Sequence, residues 1–323
     1  MSPITLLVTG DPTAEFLKGL ERLPPDTRVT ISTDPEKLAQ AAPEAGVILN
    51  GEFKNPRLLQ NLFPLATRAR WVHILSAGVE HILSPAIVAS PVPFTNGRGV
   101  FRRPLAEWAV GAMLYFLYDY RRLIRQQEAG VWADFDIEEL GAKTIGIVGY
   151  GEIGRAVAER AKPFGCKILA LRRKPAASAG DPLIDRVYAP AEIDEMLAQC
   201  DFVVAAAPTT PETRGMIGAR QIGVLKPSAV VINIGRGPVI DEAPLVAALE
   251  GNRIRGAALD VFTVEPLPEG HAFYKLKNVL LSPHSADHFE GWREKAVDFF
   301  LENFERFRKG EPLENVVDKH AGY

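Results

Sequence analysis

Short runs of valine, isoleucine and leucine alternate with amphipathic segments along most of the chain. This alternation is typical of parallel sheets whose strands are connected by helices that cover both faces. In the first part of the chain the pattern predicts five strands, at 4–9, 28–32, 46–50, 71–75 and 93–95. These strands, with helices between them, would form a small flavodoxin-like domain.

A long amphipathic segment follows this first series of strands. Apolar residues recur every three or four positions from Leu105 to Tyr120, which predicts one helix from about 104 to 127. Pro104 suits the first helical position because the N–H that it lacks would have no partner there. Six more strands are predicted after this helix, at 144–149, 167–171, 202–206, 229–234, 256–261 and 278–282. Six is the strand count of a dinucleotide-binding sheet.

The last amphipathic segment, 291–308, comes after the second sheet is complete, and we expect it to pack on the first domain. The sequence therefore predicts an α/β fold with two doubly wound parallel-sheet domains. A Rossmann cofactor domain at 96–285 would be inserted into a smaller, flavodoxin-like substrate domain built from 1–95 and 286–323.

Composition and charge narrow the functions open to this fold. The 323 residues are 47% hydrophobic, and 37 basic side chains against 40 acidic ones give a net charge of -3. This balance gives no electrostatic reason to expect nucleic acid or an anionic membrane as a partner. The longest apolar run, 110–118, is far shorter than the ~20 residues that span a bilayer. We therefore expect small-molecule chemistry.

The N-terminus and the cysteines indicate the compartment. The first apolar segment, from Ile4 to Val8, follows no basic region and is typical of a strand rather than a signal peptide. Cys166 and Cys200 are too few for a disulfide framework or a zinc cage. We interpret both as packed thiols and expect a cytoplasmic protein without a metal centre.

A glycine-rich loop stands between a predicted strand and a predicted helix. The loop consists of Gly149, Tyr150, Gly151, Glu152, Ile153 and Gly154. Glycines at this spacing allow a tight turn, a close approach of the backbone to a pyrophosphate, and close packing of the helix on the strand. The helix N-terminus then presents N–H groups to the anion. An ordinary glycine-rich turn is the alternative, but the flanking strand and helix favour a dinucleotide site.

Three cations stand at the end of the next predicted strand, where the adenosine ribose would lie. Arg172, Arg173 and Lys174 occupy the place at which an Asp or Glu would bond the ribose 2′-hydroxyl. Cations there could bind a 2′-phosphate through charge-assisted hydrogen bonds, which predicts NADPH in preference to NADH. The alternative is a solvated basic loop, which would discriminate little between the two cofactors.

Three polar residues follow predicted strands in the second half of the chain: Arg236, Glu265 and His284. Because the carboxyl ends of parallel strands line the ligand crevice, all three could converge there although they are distant in sequence. Taken singly, each has an ordinary interpretation, as a surface cation, a turn residue and a loop histidine. Together, behind a dinucleotide loop, they predict a catalytic site.

Several motifs occur in the order found in one known family: Asn96 with Glu107, Leu140-Gly141, the glycine loop, Pro208 with Thr213, Gly235-Arg236-Gly237, Asp260 with Glu265-Pro266, and Pro283-His284. On these residues the sequence resembles the D-isomer-specific 2-hydroxyacid dehydrogenases over nearly its whole length. The resemblance implies that His284 donates a proton to the substrate oxygen, that Glu265 is its carboxylate partner, and that Arg236 holds the substrate.

The resemblance also implies further contacts with ligands. It places Asp260 by the nicotinamide amide and adds four residues to the cofactor site: Pro208, Thr213, Ile234 and Gly235. Ala77 and Gly78, in a segment that we expect to follow a strand and open a helix, would bind the substrate carboxylate. The family dimerises through its cofactor domain, and apolar residues around Val131, Trp132 and Phe135 favour a homodimer here.

These observations predict an NADPH-preferring reductase of small 2-oxo acids, of the glyoxylate and hydroxypyruvate type, with NAD as a possible second cofactor. Its reverse reaction would be that of a D-2-hydroxyacid dehydrogenase. One alternative is a nicotinamide-binding regulator that resembles the family's corepressors. Another is a formate or phosphonate dehydrogenase, although a formate enzyme of this family would pair its histidine with an amide, whereas Glu265 is an acid.

Some residues near these motifs have no firm role. We expect Arg102 and Arg103, just before the long helix, to be solvated rather than ligand-binding. His288 would be a surface histidine, one turn beyond His284 if a helix begins there. The loop at 50–55, which includes Phe53, would shape the substrate pocket.

Overall fold

The computed structural model describes residues 3–52 and 55–322, and their strands and helices follow the alternation expected from the sequence. The strands are β1 Thr5–Thr9, β2 Arg28–Ser32, β3 Val47–Asn50, β4 Trp71–Ile74, β5 Phe94–Asn96, β6 Thr144–Val148, β7 Lys167–Leu171, β8 Arg186–Tyr188, β9 Phe202–Ala205, β10 Val230–Asn233, β11 Gly256–Leu259 and β12 Val279–Leu281. The α-helices are α1 Pro35–Ala41, α2 Pro56–Leu62, α3 Pro85–Ala89, α4 Arg102–Leu117, α5 Tyr120–Glu128, α6 Glu152–Ala161, α7 Ile193–Leu197, α8 Ala219–Gly223, α9 Glu242–Glu250 and α10 Trp292–Lys309.

The described residues fall into two compact units. The first comprises Met1–Phe101 and Phe289–Tyr323, as far as these ranges are described, and the second comprises Arg102–His288. Each unit is built on its own parallel sheet, which confirms the predicted α/β fold class.

The first unit contains a five-stranded parallel sheet with the order β2-β1-β3-β4-β5. This is the flavodoxin-like order, in which the chain reverses direction across the sheet between β1 and β3. Its central strands are short and apolar because both faces are covered, and Leu7, Ile48 and Val72 are fully or almost fully buried. The observed strands lie within one residue of the predicted bounds at each end.

Helix α10 packs on this first sheet, as the sequence predicted. The ring of Phe300 stacks on Trp71 with 5.3 Å between ring centroids, and Phe304 lies 6.4 Å from the same indole. Both phenylalanines are completely buried. The last helix therefore belongs to the first unit although it follows the second sheet in the chain.

The second unit contains a seven-stranded parallel sheet with the order β12-β11-β10-β9-β6-β7-β8. The strand order on either side of β6 is that of a dinucleotide-binding sheet, and the chain reverses direction between β6 and β9. The predicted count of six strands was wrong for the described residues, because β8 was missed. This strand has three residues at the sheet edge, and the exposed Arg186 interrupts its apolar pattern.

The predicted single helix from 104 to 127 is also wrong. It is two helices, α4 and α5, separated at Asp119, which has a φ of 45° in the left-handed region. Asp tolerates this conformation better than most residues, and its carboxylate accepts a hydrogen bond from the N–H of Arg122 at 3.2 Å. Helix α4 begins at Arg102, so Pro104 lies within the first turn rather than at its first position.

Two smaller expectations concern membranes and cysteines. Within the described residues, no helix combines the length and the apolar character needed to cross a bilayer. Cys166 and Cys200 are both buried free thiols, as predicted.

Candidate active site

The glycine loop connects β6 to α6 and leaves room for a ligand. Gly149 has a φ of 95°, and a Cβ there would lie 2.6 Å from the backbone nitrogen of Ala207. A Cβ on Gly154 would lie 2.6 Å from the carbonyl oxygen of Gly149, so this glycine lets the helix approach the loop. A Cβ on Gly151 would meet nothing within 4 Å. The loop is therefore tight against the protein and open at the N-terminus of α6, which fits a pyrophosphate.

The other residues of this loop have separate positions. Tyr150 is buried, Ile153 is half-buried and Glu152 is exposed. Glu152 forms an ion pair with Arg102, with 2.8 Å between carboxylate oxygen and guanidinium nitrogen. Arg102 is itself exposed, so this is a surface ion pair and Arg102 is solvent-accessible, as expected. Arg103 is exposed.

The three cations that follow β7 are not equivalent. Arg172 is half-buried, and its Nη1 donates a hydrogen bond to the hydroxyl of Ser178 at 2.5 Å. Arg173 and Lys174 are exposed. The structure thus holds the first cation in place at the strand end and leaves the other two at the surface.

The remaining cofactor candidates lie at the ends of β9 and β10, the strands beyond the reversal point of the sheet. The hydroxyl of Thr213 donates to the carbonyl of Pro208 at 2.6 Å, which closes the turn after β9. Ile234 and Gly235 follow β10, and the N–H of Gly235 donates to the side-chain oxygen of Asn233 at 3.2 Å. All four candidates therefore lie at the carboxyl end of the second sheet, as the glycine loop does.

Arg236 extends the loop after β10 toward the loop after β11. Its Nη1 donates to the carbonyl of Gly235 at 2.7 Å, and its own carbonyl accepts from the amide of Asn233 at 3.1 Å. A Cβ on Gly237 would lie 1.9 Å from the carbonyl carbon of Phe262, so only glycine allows the two loops this contact. The positive charge of Arg236 is near enough to influence the pKa values of both Glu265 and His284.

His284 and Glu265 form a close pair. The Nδ1 of His284 lies 2.6 Å from Oε2 of Glu265, and Oε1 of Glu265 accepts from the N–H of Phe262 at 2.8 Å. His284 has a φ of 51°, and its N–H donates to the carbonyl of Asp260 at 2.8 Å. Each partner of the pair is thus fixed by the backbone as well as by the other side chain.

This contact favours the charged form of both groups. The hydrogen bond to Glu265 raises the pKa of His284, against the opposing effects of burial and of the positive charge on Arg236. Burial acts to raise the pKa of Glu265, but the hydrogen bonds from His284 and Phe262 outweigh it and the pKa is lowered. With Nδ1 bound to Glu265, the imidazolium has its Nε2–H left to donate.

Asp260 supports the loop that carries His284. It is 1% exposed, and its Oδ1 accepts hydrogen bonds from the N–H groups of Ser285 and Ala286 at 2.9 and 3.0 Å. By accepting these two hydrogen bonds, the buried carboxylate fixes the backbone that directly follows His284.

The sequence analysis missed Asp287. Its Oδ1 is buried and has no hydrogen-bond partner among the described residues, and burial raises its pKa. The Nε2 of His288 lies 3.7 Å away, and His288 itself is exposed, in a turn rather than a helix. In the sequence, the one signal for Asp287 is that an acid stands three residues after His284.

The segment after β4 differs from its prediction. No helix begins at 76–79, and α3 begins only at Pro85, where Ser84 supplies the N-cap and its hydroxyl accepts from the N–H of Ile87. The segment is held by hydrogen bonds from the amide of Asn96 to the carbonyl of Ala77, at 2.6 Å, and from the N–H of Gly97 to Ser76. Ala77 and Gly78 are half-buried. Phe53, in the loop expected to shape the pocket, lies outside the described residues.

The chain is similar to known proteins over most of its length. Residues 110–286 match the sequence profile of the D-isomer specific 2-hydroxyacid dehydrogenase, NAD binding domain. A glyoxylate reductase of Thermococcus litoralis is 41% identical over 290 residues, which are 85% of this chain and 84% of that protein. A hydroxypyruvate reductase of Blautia hydrogenotrophica is 28% identical over 298 residues, or 90% of each chain.

Solved structures are similar over the full length. An NADPH-dependent glyoxylate/hydroxypyruvate reductase from Sinorhizobium meliloti, in complex with NADP and sulfate, has a TM-score of 0.85 and 28% identity and covers 99% of this chain and 100% of that one. A D-isomer specific 2-hydroxyacid dehydrogenase from Xanthobacter autotrophicus, with NADPH and MES, has a TM-score of 0.81 and 29% identity over 100% of both chains. The chain therefore belongs to the family of NAD(P)-dependent D-isomer-specific 2-hydroxyacid dehydrogenases, as the sequence motifs indicated.

Proposed function

We propose that this enzyme reduces small 2-oxo acids of the glyoxylate and hydroxypyruvate type with a preference for NADPH, and that its reverse reaction oxidises D-2-hydroxy acids. The observation that carries the proposal is the His284–Glu265 pair beside Arg236, at the ends of three neighbouring strands. A proton donor and a cation at this edge are what reduction of a carbonyl next to a carboxylate requires.

The proton comes from His284. When bound, the nicotinamide supplies a hydride to the keto carbon, and the carbonyl oxygen then gains the negative charge of an alkoxide. The Nε2 of His284 donates a proton to this oxygen, while Glu265 holds Nδ1 at 2.6 Å and stabilises the imidazolium before transfer. The raised pKa of His284 favours the charged form of this donor.

Arg236 orients the substrate. Its planar guanidinium can bind the substrate carboxylate with two parallel hydrogen bonds and polarise the adjacent carbonyl. From the first unit, we propose Ala77 and Gly78 as further carboxylate contacts, because hydrogen bonds to Asn96 and Gly97 fix the backbone of their segment. Holding the carboxylate and the carbonyl of the substrate in place limits which face of the carbonyl receives the hydride.

Residues at the carboxyl end of the second sheet would hold the cofactor. The glycine loop and the N-terminus of α6 bind the pyrophosphate, and Asp260 binds the nicotinamide amide. Arg172, with Arg173 and Lys174, binds the 2′-phosphate of NADPH through charge-assisted hydrogen bonds. The two related structures described above contain NADP or NADPH, which supports this preference.

We also propose a homodimer built through the second unit. The segment after α5 exposes Trp132 completely and Val131 by about half, and α5 itself exposes Ile124 to 53%. Exposed apolar side chains that lie close together along the chain are typical of a surface covered by a partner.

The experiment that tests the proposed function follows the oxidation of NADPH and of NADH with a panel of 2-oxo acids. We expect turnover of glyoxylate and hydroxypyruvate. At limiting cofactor concentration the rate should be higher with NADPH than with NADH. Cofactor binding without turnover of any 2-oxo acid would indicate a nicotinamide-binding regulator. Reduction of NADP+ or NAD+ by formate or phosphite would indicate a formate or phosphonate dehydrogenase.

A further inference from the structure

The loop 172–181 follows β7. Hydrogen bonds hold its first residue, Arg172, at the carboxyl end of the second sheet. Arg172 donates its backbone N–H to the carbonyl of Tyr188 at 3.0 Å and its Nη1 to the hydroxyl of Ser178 at 2.5 Å. Ser178 is only 6% exposed, so its hydroxyl is a fixed acceptor rather than a surface group. Within the part of the chain that the structure describes, Ser178 is the hydrogen-bond partner of the Arg172 side chain.

The last residue of the same loop, Asp181, is hydrogen-bonded to the glycine loop. The Oδ2 of Asp181 accepts hydrogen bonds from the hydroxyl of Tyr150 at 3.2 Å and from Nε of Arg155 at 3.1 Å. The N–H of Asp181 donates to the carbonyl of Ser178 at 3.2 Å. An unbroken series of hydrogen bonds therefore joins the glycine loop, through Asp181 and Ser178, to the guanidinium of Arg172.

This series has a consequence for anion binding. A guanidinium has five N–H donors, and the bond to Ser178 uses one of them, so the rest can reach a phosphate. A long side chain that is already held loses less conformational freedom when a ligand binds than one that is free in solvent. Asp181 also connects the loop that carries Arg172 to the glycine loop.

We infer that Ser178 and Asp181 are positioning residues that hold Arg172 where it meets the 2′-phosphate of the cofactor. The inference rests on the NADPH preference proposed above and extends it to two residues that would not touch the phosphate. Its chemical signature is selective: loss of either residue weakens ligands that carry a 2′-phosphate and spares ligands that lack it.

The experiment measures binding of adenosine 2′,5′-bisphosphate and of 5′-ADP by calorimetry to the parent enzyme and to Arg172→Ala, Ser178→Ala and Asp181→Asn. We expect Ser178→Ala to weaken the 2′-phosphorylated ligand by about three- to tenfold, the range for one hydrogen bond, and to leave 5′-ADP unchanged. Asp181→Asn should act in the same direction. In an Arg172→Ala background, Ser178→Ala should have no further effect, because it acts through the arginine.

Asp185→Asn is the matched control. Asp185 lies four residues beyond Asp181, and its carboxylate bonds the N–H of Ile168 at 2.6 Å and Nζ of Lys162 at 2.7 Å. Its loss should not change the ratio of the two affinities. Equal weakening of both ligands by Ser178→Ala, or none, while Arg172→Ala remains selective would overturn the inference alone. If the parent binds both ligands equally well, the proposed cofactor preference fails and the inference fails with it.

Discussion

The Nδ1 of His284 lies 2.6 Å from Oε2 of Glu265, and this hydrogen bond raises the pKa of the histidine. Reduction needs the protonated histidine, so kcat/KM for a 2-oxo acid should fall as pH rises through the raised pKa of His284. In Glu265→Gln the charge that raises this pKa is lost, and the falling limb of the profile should move to lower pH.

The control for this profile is Glu242→Gln. Glu242 accepts a hydrogen bond from the N–H of Thr263, near the same loop, but its carboxylate contacts His271 rather than His284. Its loss removes the same charge and should leave the limb in place. A profile of Glu265→Gln that overlays the parent would show that the pair does not set the titration.

The features predicted from the sequence are those with a local pattern. Strand β7 was predicted at its observed bounds, because a buried parallel strand is a continuous apolar run. Strand β8 has only three residues, and the break at Asp119 depends on one residue in a left-handed conformation within an otherwise helical pattern. Neither leaves a periodic signal.

The candidate site divides in the same way. Arg236, Glu265 and His284 could be selected because each follows a strand of the same sheet, so topology alone brings them together. The bond from Arg172 to Ser178 and the buried oxygen of Asp287 depend on how loops fold back, which no spacing rule gives. The loop contacts therefore had to come from the structure.

Cofactor preference is predicted to depend on Arg172. Losing a charged hydrogen bond costs roughly 1.5 to 3 kcal/mol, so the parent should prefer NADPH by about 10- to 100-fold in kcat/KM. Arg172→Asp should remove this preference or reverse it, because a carboxylate repels the 2′-phosphate and can bond a ribose hydroxyl. Kinetics with both cofactors decide the matter: a variant that still prefers NADPH would show that another group binds the phosphate.

The oligomeric state is predicted to depend on the exposed apolar segment after α5. Light scattering at micromolar concentration should give twice the 35.3 kDa of one chain. Trp132→Glu should shift the enzyme toward monomer, because it places a charge in the covered surface. Exposed Lys309→Glu, in the first unit, is the control and should remain dimeric. A parent particle of one-chain mass would contradict the proposal.

Stability below neutral pH is predicted to depend on His73. This histidine is fully buried, its Nδ1 lies 2.6 Å from the hydroxyl of Thr95, and burial lowers its pKa to about 3. The unfolded chain binds a proton at the ordinary pKa of about 6.5, whereas the folded chain does not, so stability should fall as pH drops from about 6.5 toward 3.

The contribution of His73 can be separated from that of other groups. For one histidine the loss approaches about 1.4 kcal/mol per pH unit within this range. His73→Asn should be less stable at neutral pH, and the difference in unfolding free energy from the parent should shrink as pH falls. Urea melts at several pH values measure it. A constant difference would show that His73 is already protonated in the folded protein.

The most direct test of the account is kcat/KM for glyoxylate reduction by NADPH in His284→Ala and Arg236→Ala, measured with the dissociation constant of NADPH. Removing the proton donor or the substrate cation should lower kcat/KM by at least ~10²-fold and leave NADPH binding nearly intact. Turnover close to that of the parent in either variant would contradict the roles assigned to these two residues.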